Sequence, residues 1–167
     1  MNTIKFESVL IIGMGLMGSS LSRALNHFKI SNNIYGIDTN QKVIDKCKSL
    51  NLIKDGAKNI NSFDQQFDLI VICSPLSTYK KIFTYLNKFT TDLTLLTDIG
   101  STKLSVVDDY NSAIDNKNII FLPSHPIAGL EKSGPEFGLA KLFENRFCII
   151  TPLIKDDLRI NPIIEMW

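Results

Sequence analysis

Three glycines near the amino terminus have the spacing of a phosphate-binding turn. Gly13, Gly15 and Gly18 form the pattern G-x-G-x-x-G, directly between a short apolar run and a segment with helical periodicity. In this pattern the first glycine makes a tight turn, the second lets the backbone approach a pyrophosphate, and the third allows close packing of helix on strand. We expect the backbone at Leu16 and Met17, which lie between the second and third glycines, to face the phosphates near the start of the helix. The pattern predicts a dinucleotide site, and the alternative is that the glycines only tighten a turn.

An acidic residue follows at the distance expected for such a site. Asp38 lies 20 residues beyond Gly18, at the end of the next apolar run. A carboxylate at this position accepts hydrogen bonds from the hydroxyls of the adenosine ribose. Because it repels a 2′-phosphate, it predicts NAD rather than NADP as the cofactor. The alternative role for Asp38 is to cap the following helix.

The third main apolar run ends in a serine and a proline. Ser74, Pro75 and Thr78 follow it, and ligands of open α/β sheets lie at the carboxyl ends of strands. We therefore predict that these three residues contact the cofactor. Capping of a helix by Ser74, with Pro75 at the first helical position, accounts for the same residues equally well, and the two roles are compatible.

Two later segments carry side chains suited to proton transfer. Ser101 and His125 each follow a predicted strand. A neutral imidazole accepts the proton of a substrate hydroxyl while the cofactor accepts hydride from the same carbon, and a serine hydroxyl holds that oxygen. The competing roles are a purely structural histidine and a serine that caps the next helix. Glu131 and Lys132 are either an exposed charge pair or part of the site.

The elements that must position these residues alternate between strand and helix. Apolar periodicity predicts strands over residues 8–13, 33–38, 67–73, 93–98 and 118–122, and helices over residues 19–28, 41–50, 75–89 and 103–114. We also expect a minor edge strand at residues 58–60, a last strand at 147–151 and a further helix from about residue 156. Such alternation predicts an α/β fold of the Rossmann type, a doubly wound, mostly parallel sheet with helices on both faces.

The composition excludes several other classes of protein. The 18 Lys and Arg nearly balance the 17 Asp and Glu, and the charges are scattered, so we expect no binding of nucleic acid or anionic membrane. No run approaches the roughly 20 apolar residues of a membrane span, and we expect no secretory leader. Cys47, Cys73 and Cys148 are odd in number and widely spaced, which favours reduced thiols over disulfides or a metal site. These features predict a soluble cytoplasmic protein.

Four motifs occur in a characteristic order along the chain. They are IIGMGLMGSS at residues 11–20, CSP at 73–75, DIGSTK at 98–103 and HPIAGLEKSG at 125–134. Together they resemble the prephenate and arogenate dehydrogenases of tyrosine biosynthesis, a branch of aromatic amino acid biosynthesis. The resemblance extends over residues 9–167, and its most specific part is the last motif.

The resemblance implies a reaction and roles for three residues. In the family, NAD takes hydride from the ring carbon that bears the hydroxyl of prephenate, carbon dioxide leaves, and the aromatic product is 4-hydroxyphenylpyruvate. His125 matches the catalytic histidine, which accepts a hydrogen bond and the proton from that hydroxyl. Ser101 matches a serine that contacts the same hydroxyl and the nicotinamide. Glu131 matches an acidic residue near the active-site entrance that is coupled to a basic residue of a second domain.

The resemblance also implies a domain organisation. Residues 1–154 correspond to the NAD-binding domain, and residues 155–167 to the start of a helix that leads into an all-helical domain absent from this sequence. In the family that domain forms the homodimer and supplies an arginine that grips the substrate carboxylate, and neither Arg146 nor Arg159 matches it. Without that domain we expect three apolar residues to be exposed, namely Ile163, Ile164 and Trp167.

Two functions from different classes remain open at this point. The expected partners are a small-molecule substrate, prephenate or arogenate, and a second copy of the full-length protein. The substrates share the reacting ring and differ in a keto-acid or amino-acid side chain. The alternative to an enzyme is a catalytically silent dinucleotide-binding fragment.

Overall fold

Six parallel strands form the centre of the protein. The computed structural model describes residues 6–89 and 92–167. Its sheet has the strand order β3-β2-β1-β4-β5-β6, which is the order of the Rossmann fold. The strands are β1 (Val9–Ile12), β2 (Ile34–Ile37), β3 (Asp55–Ala57), β4 (Leu69–Ile72), β5 (Thr94–Asp98) and β6 (Ile119–Leu122). All except β3 are buried throughout, as is usual for a parallel sheet covered on both faces.

Helices cover both faces of this sheet. They are α1 (Leu16–His27), α2 (Gln41–Ser49), α3 (Tyr79–Phe89), α4 (Leu104–Ala113) and α5 (Asn161–Met166). Successive residues of a strand point to opposite faces. Val9 and Ile11 of β1 therefore join the core formed with α1, α2 and α5, whereas Leu10 and Ile12 join the core formed with α3 and α4. The predicted doubly wound fold is confirmed.

Four strands end level with one another. The register places Ile37, Ile12, Ile72 and Asp98 side by side across β2, β1, β4 and β5. The segments that follow these strands therefore leave the sheet along one side, which we call the carboxyl edge. This is the side at which open parallel sheets bind ligands.

Three predicted boundaries are displaced. The first helix begins at Leu16 rather than at residue 19. The edge strand occupies Asp55–Ala57 instead of residues 58–60, because these residues pair with β2. Ile60 belongs to the 3₁₀ turn that follows (Ile60–Ser62), where its side chain is buried. The helix predicted from residue 75 opens as a 3₁₀ turn (Leu76–Thr78) before α3.

The last predicted strand does not belong to the main sheet. Its residues form β8 (Cys148–Ile150), which pairs antiparallel with β7 (Ser124–Pro126) in a separate two-stranded ribbon. Residues 124–126 lie outside every strand predicted from the sequence. After β6 the chain continues through Pro123, which has no N–H to donate, and the N–H of Ser124 turns to a side chain of β5 rather than to another strand.

The carboxyl-terminal helix packs on the domain itself. A 3₁₀ turn (Leu158–Ile160) leads into α5, so the helix begins later than residue 156. Ile163 is fully buried, and the ring of Trp167 lies 5.5 Å from that of Phe143. The expectation that Ile163 and Trp167 are exposed is therefore wrong, whereas Ile164 is 41% exposed as expected. In the described ranges, no helix is long and apolar enough to cross a membrane.

Candidate active site

The turn after β1 requires glycine at its first position. Gly13 has φ +98°, and a Cβ there would lie 2.7 Å from the backbone carbon of Cys73 and from the backbone nitrogen of Ser74. The N–H of Gly13 donates to the carbonyl of Ile37 at 2.7 Å. The turn is thus pressed between the ends of β4 and β2, and a side chain cannot enter.

The second glycine, Gly15, is not required by the conformation or the packing of the chain. Gly15 has φ −69°, which any residue adopts, and a Cβ on it would meet no atom of the described chain within 4 Å. It precedes α1, whose start has no side-chain hydrogen bond to cap it. The chain itself does not need a glycine at this position. The open space in front of the uncapped N–H groups, at Leu16 and Met17, fits an anionic group of a cofactor.

The third glycine allows the helix to approach the strand. A Cβ on Gly18 would collide with the carbonyl oxygen of Gly13 and lie 3.1 Å from Cγ2 of Ile11. The turn at Gly13 and the helix contact at Gly18 are thus as the pattern predicts, and the space at Gly15 is open, as the approach of a ligand would require.

The carboxylate of Asp38 faces the glycine turn. Its Oδ2 accepts from the N–H of Met14 at 3.0 Å and its Oδ1 from the N–H of Asn40 at 2.9 Å. Asn40 is the residue that caps α2, because its side chain accepts from the N–H of Lys42 at 3.0 Å. The alternative role of Asp38 as helix cap is therefore wrong, and Asp38 lines the cleft beside the turn.

A cleft of about 750 Å³ extends from the glycine turn over the carboxyl edge. Ser74, Pro75 and Thr78 form one wall. The hydroxyls of Ser74 and Thr78 are 2.8 Å apart, and the 3₁₀ turn after Pro75 has no side-chain cap, so helix capping by Ser74 is wrong. The outer end holds further residues that the sequence analysis missed, which are Thr39, Lys58, Asn59, Ile60, Asn61, Ser62, Lys81, Ile82 and Tyr85.

Ser101 lies beyond the carboxyl edge in the loop that follows β5. Its side chain is exposed. The residue that precedes α4 is Lys103, and no side chain caps that helix. The alternative role of Ser101 as helix cap is therefore wrong, and its hydroxyl is available to a ligand.

His125 occupies the middle of β7 and is half-buried. It pairs with Ile149 of β8, so the two side chains share one face of the ribbon. The thiol of Cys148, the neighbour of Ile149, interacts with the backbone N–H of His125. Burial raises the pKa of Cys148 to about 11, which keeps this thiol protonated and unsuited to act as a nucleophile at neutral pH.

A buried carboxylate that the sequence analysis did not single out connects these two segments. Asp98 is fully buried at the end of β5. It accepts from the N–H of Gly100 at 2.9 Å and from the N–H of Ser124 at 3.1 Å, and Nζ of Lys103 lies 2.5 Å from Oδ2. Burial lowers the pKa of Lys103, and the neighbouring carboxylate opposes that shift. The signal that could have revealed this group is an aspartate that ends a buried apolar strand, with a lysine five residues later.

Glu131 and Lys132 do not form a charge pair with each other in the described residues. Both are exposed, and Nζ of Lys132 lies 5.1 Å from the ring centroid of Phe137. The loop that carries them is fixed further on, where Arg23 of α1 donates to the carbonyl of Pro135 at 2.9 Å and the N–H of Leu139 donates to Oγ of Ser20 at 3.0 Å.

The structure thus brings the predicted residues into two groups on one edge of the sheet. Gly13 of the glycine turn, Asp38 and the wall formed by Ser74, Pro75 and Thr78 line the cleft. The segments of Ser101 and His125 meet at Asp98, which lies beside Ile72 in the register. This arrangement suits a dinucleotide next to a group that accepts a proton.

Comparisons with known proteins agree with this geometry. The chain matches the family model described as "Prephenate dehydrogenase, nucleotide-binding domain" over residues 21–167. Cyclohexadienyl dehydrogenase of Zymomonas mobilis subsp. mobilis is 31% identical over 147 residues, which are 88% of this chain and 50% of the relative. Prephenate dehydrogenase of Bacillus subtilis is 32% identical over 158 residues, which are 94% of this chain and 42% of the relative.

A solved structure is similar over nearly the whole chain. Prephenate dehydrogenase from Aquifex aeolicus, crystallised in complex with hydroxyphenyl propionate and NAD+, superposes with a TM-score of 0.90 at 33% identity over 99% of this chain and 58% of that one. The chain spans about half the length of the curated relatives it matches. The resemblance inferred from the four motifs is confirmed. Because the family model covers residues 21–167 of the 167-residue chain, the chain belongs to the prephenate dehydrogenase family, of which it is the nucleotide-binding domain.

Proposed function

We propose that this chain is the cofactor-binding part of an NAD-dependent prephenate dehydrogenase, which converts prephenate to 4-hydroxyphenylpyruvate by oxidative decarboxylation. The observation that carries the proposal is the meeting of the Ser101 loop and the His125 strand at Asp98, two strands from the glycine turn along the carboxyl edge. A group suited to accept a hydroxyl proton therefore lies on the same edge as the dinucleotide cleft.

NAD is the cofactor that this cleft fits. The open space at Gly15 leaves room for a pyrophosphate in front of α1. Asp38 lines the cleft where the adenosine ribose belongs, and its charge disfavours a 2′-phosphate. The Aquifex aeolicus relative was crystallised with NAD+. The proposed cofactor contacts are Gly13, Gly15, Leu16, Met17, Gly18, Asp38, Ser74, Pro75 and Thr78.

The proposed chemistry places two side chains at the substrate hydroxyl. When bound, NAD supplies the hydride acceptor for the ring carbon that carries this hydroxyl. His125 takes the hydroxyl proton as its neutral imidazole, and Ser101 donates a hydrogen bond to the same oxygen. When carbon dioxide leaves, the electron pair of its bond completes the aromatic ring, and His125 returns the proton to the phenolate oxygen. These reaction steps balance in atoms and in charge, and they need no metal ion.

The surroundings of His125 support a substrate enclosed by further protein. Three apolar side chains near it on the ribbon are exposed, Ile127 by 46%, Phe147 by 86% and Ile149 by 54%. A reacting centre open to water loses orientation and electrostatic strength. We propose that a second domain covers this face in the complete enzyme, and that the exposed Glu131 lies at the entrance between the two domains.

The further partners and the domain boundary are also proposals. We propose that residues 1–154 are the NAD-binding domain, that residues 155–167 lead into a helical domain, and that the complete enzyme is a homodimer through that domain. A cytoplasmic location fits the three cysteines, which are free in the described chain. Sedimentation of a complete enzyme as a monomer would contradict the dimer.

The decisive test is the loss of turnover when His125 is replaced. A chimera that continues from residue 167 into the part of the Aquifex aeolicus enzyme that this chain does not cover should produce NADH with prephenate. His125→Asn should lower kcat by about 10²–10⁴-fold, the usual effect of a positioned acid–base group. The dissociation constant for NAD, measured by calorimetry, should stay within about twofold, which is 0.4 kcal/mol. Near wild-type turnover of this variant would show that His125 is structural.

A binding measurement on the 167-residue chain serves as an independent check. Hydroxyphenyl propionate added to the NAD-loaded chain should shift the NMR signals of His125, and His27, the other of the two histidines in the sequence, serves as the internal reference. Turnover of prephenate by this chain alone should be very weak. Assays with arogenate alongside prephenate distinguish the alternative substrate, and a chimera that binds NAD but oxidises neither would identify a silent dinucleotide-binding module.

A further inference from the structure

Asp98 has an unusual place among the strand ends of the sheet. The other five strands end on apolar residues, which are Ile12, Ile37, Ala57, Ile72 and Leu122. β5 alone ends on a charged side chain, and that side chain is fully buried. A buried ion pair commonly adds little stability compared with apolar residues of the same size. Stability alone therefore gives no reason for the carboxylate.

The hydrogen bonds of Asp98 suggest a reason. Its Oδ2 accepts from the N–H of Gly100 at 2.9 Å, and its Oδ1 accepts from the N–H of Ser124 at 3.1 Å. Gly100 immediately precedes Ser101, and Ser124 immediately precedes His125. One carboxylate thus holds the backbone next to each of the two proposed catalytic residues.

The remaining contacts hold the carboxylate itself in place. Nζ of Lys103 is 2.5 Å from Oδ2, and the lysine side chain is only 15% exposed. Beside the carboxylate, the hydroxyl of Thr97 lies 2.8 Å from the hydroxyl of Ser124 and donates to the carbonyl of Leu122 at 2.7 Å. The orientation of Asp98 is therefore fixed by a charge, and the start of β7 is held by two adjacent side chains of β5.

We propose that Asp98 is a positioning residue, whose single carboxylate sets the distance between the Ser101 loop and the His125 strand. The inference rests on the proposed function for the roles of Ser101 and His125. In this proposal Asp98 contacts neither substrate nor cofactor. Lys103 acts through Asp98 as the counter-ion that orients the carboxylate.

The test compares two aspartates that each accept a backbone N–H. Asp98→Asn keeps the shape of the side chain but removes the charge, and its amide nitrogen cannot accept. At least one of the four donors to this side chain therefore loses its acceptor; they are the N–H groups of Gly100 and Ser124, Nζ of Lys103 and the hydroxyl of Tyr79. Asp68→Asn is the matched control, because Oδ2 of Asp68 accepts from the N–H of Ser8 at 2.8 Å at the opposite, amino-terminal edge of the sheet. Both variants are made in the 167-residue chain.

Two NMR measurements provide the readout. Hydrogen exchange at one or both of the Gly100 and Ser124 amides should accelerate about tenfold or more in Asp98→Asn, since a lost hydrogen bond to a charged group has that effect. The NMR signals of the His125 ring, recorded at one fixed pH, should shift, because Ser124, the residue before it, loses the carboxylate that accepts from its N–H. The ring signals of His27 should stay in place in both variants, and Asp68→Asn should affect only the Ser8 amide.

The outcomes separate this inference from the proposed function. Wild-type exchange at both Gly100 and Ser124, or unmoved ring signals of His125, would overturn the positioning role even if His125 proves catalytic. The NMR result on Asp98→Asn does not depend on whether His125→Asn loses activity or keeps it. If Asp98→Asn does not fold, the double variant Asp98→Asn/Lys103→Met removes the unpaired charge. A double variant that also fails to fold would show that the pair is only structural and would overturn the inference.

Discussion

Gly13 and Gly15 should respond in opposite ways to the same substitution. Alanine at Gly15 adds a methyl group that meets nothing in the described chain within 4 Å, at a φ of −69° that suits any residue. Alanine at Gly13 must adopt a φ of +98° and places its Cβ 2.7 Å from the backbone of Cys73 and Ser74. We therefore expect Gly15→Ala to fold normally but bind NAD poorly, and Gly13→Ala to lose stability.

The expected magnitudes follow from these two environments. At Gly15 the lost preference for glycine before a helix, of order 0.5–1 kcal/mol, is offset by a reduced unfolded-state entropy of about 0.4–1 kcal/mol. The melting temperature should thus stay within about 3 °C. At Gly13 backbone strain of about 1–3 kcal/mol adds to the steric clash, which predicts a fall of roughly 10 °C or more.

The loss of affinity comes from the ligand rather than from the fold. A methyl group at Gly15 fills the space in front of the N–H groups that start α1. Each hydrogen bond to a charged group contributes about 1.5–3 kcal/mol. Losing one weakens NAD binding by at least about tenfold, since 1.4 kcal/mol is tenfold in the dissociation constant.

Calorimetric titration with NAD and thermal unfolding of both variants measure these effects. If Gly15→Ala bound NAD as tightly as the unchanged protein, the pyrophosphate would lie elsewhere. If Gly15→Ala lost as much stability as Gly13→Ala, the space at Gly15 would not be open.

Three further predictions concern the cofactor, the last helix and the thiols. Asp38→Asn should reduce a preference for NAD over NADP of about tenfold or more to near parity in fluorescence titrations, because the repulsion of the 2′-phosphate is removed. Ile163→Ala should lower the free energy of unfolding in urea by about 2–4 kcal/mol, whereas the exposed Ile164→Ala should change it by less than about 1 kcal/mol. Burial raises the pKa of Cys47 and of Cys148 from 9.0 to about 11, so at pH ~8 both should react with a disulfide reagent about 100-fold more slowly in the folded than in the unfolded protein. The same pKa shifts should make the protein less stable as the pH rises from 9.0 to about 11, since the unfolded chain releases the two thiol protons first. Equal reactivity of the thiols in the folded and the unfolded protein would contradict the raised pKa values.

Five of the six strands of the main sheet could be predicted because they are fully buried. β-branched and apolar runs such as Val9–Ile12 and Leu69–Ile72 have no polar alternation, and each is followed by helical spacing. The edge strand Asp55–Ala57 has no such signal. Its pairing rests on backbone hydrogen bonds to β2, which leave no pattern in the side chains.

Parts of the site could not be predicted because they depend on residues far apart in the chain. His125 lies in a strand only because residues 124–126 pair with residues 148–150. The burial of Trp167 depends on Phe143, and that of Ile163 on the core beneath α1 and α2. The sequence motif around Asp98 was recognised, but its carboxylate acts on Ser124, which is 26 residues away. Such contacts are set by the fold and leave no local periodicity.

The long loop after His125 shows how a segment without its own secondary structure becomes fixed at a site. Arg23 and Ser20, both on α1, hold it through the carbonyl of Pro135 and the N–H of Leu139. Gly138 permits this contact, because a Cβ there would collide with the side chains of Ser19 and Arg23. The helix that starts at the glycine turn therefore also holds the loop that carries Glu131. Because these bonds span more than 110 residues, the local pattern indicates only a loop, and the packing against α1 determines its course toward the active site.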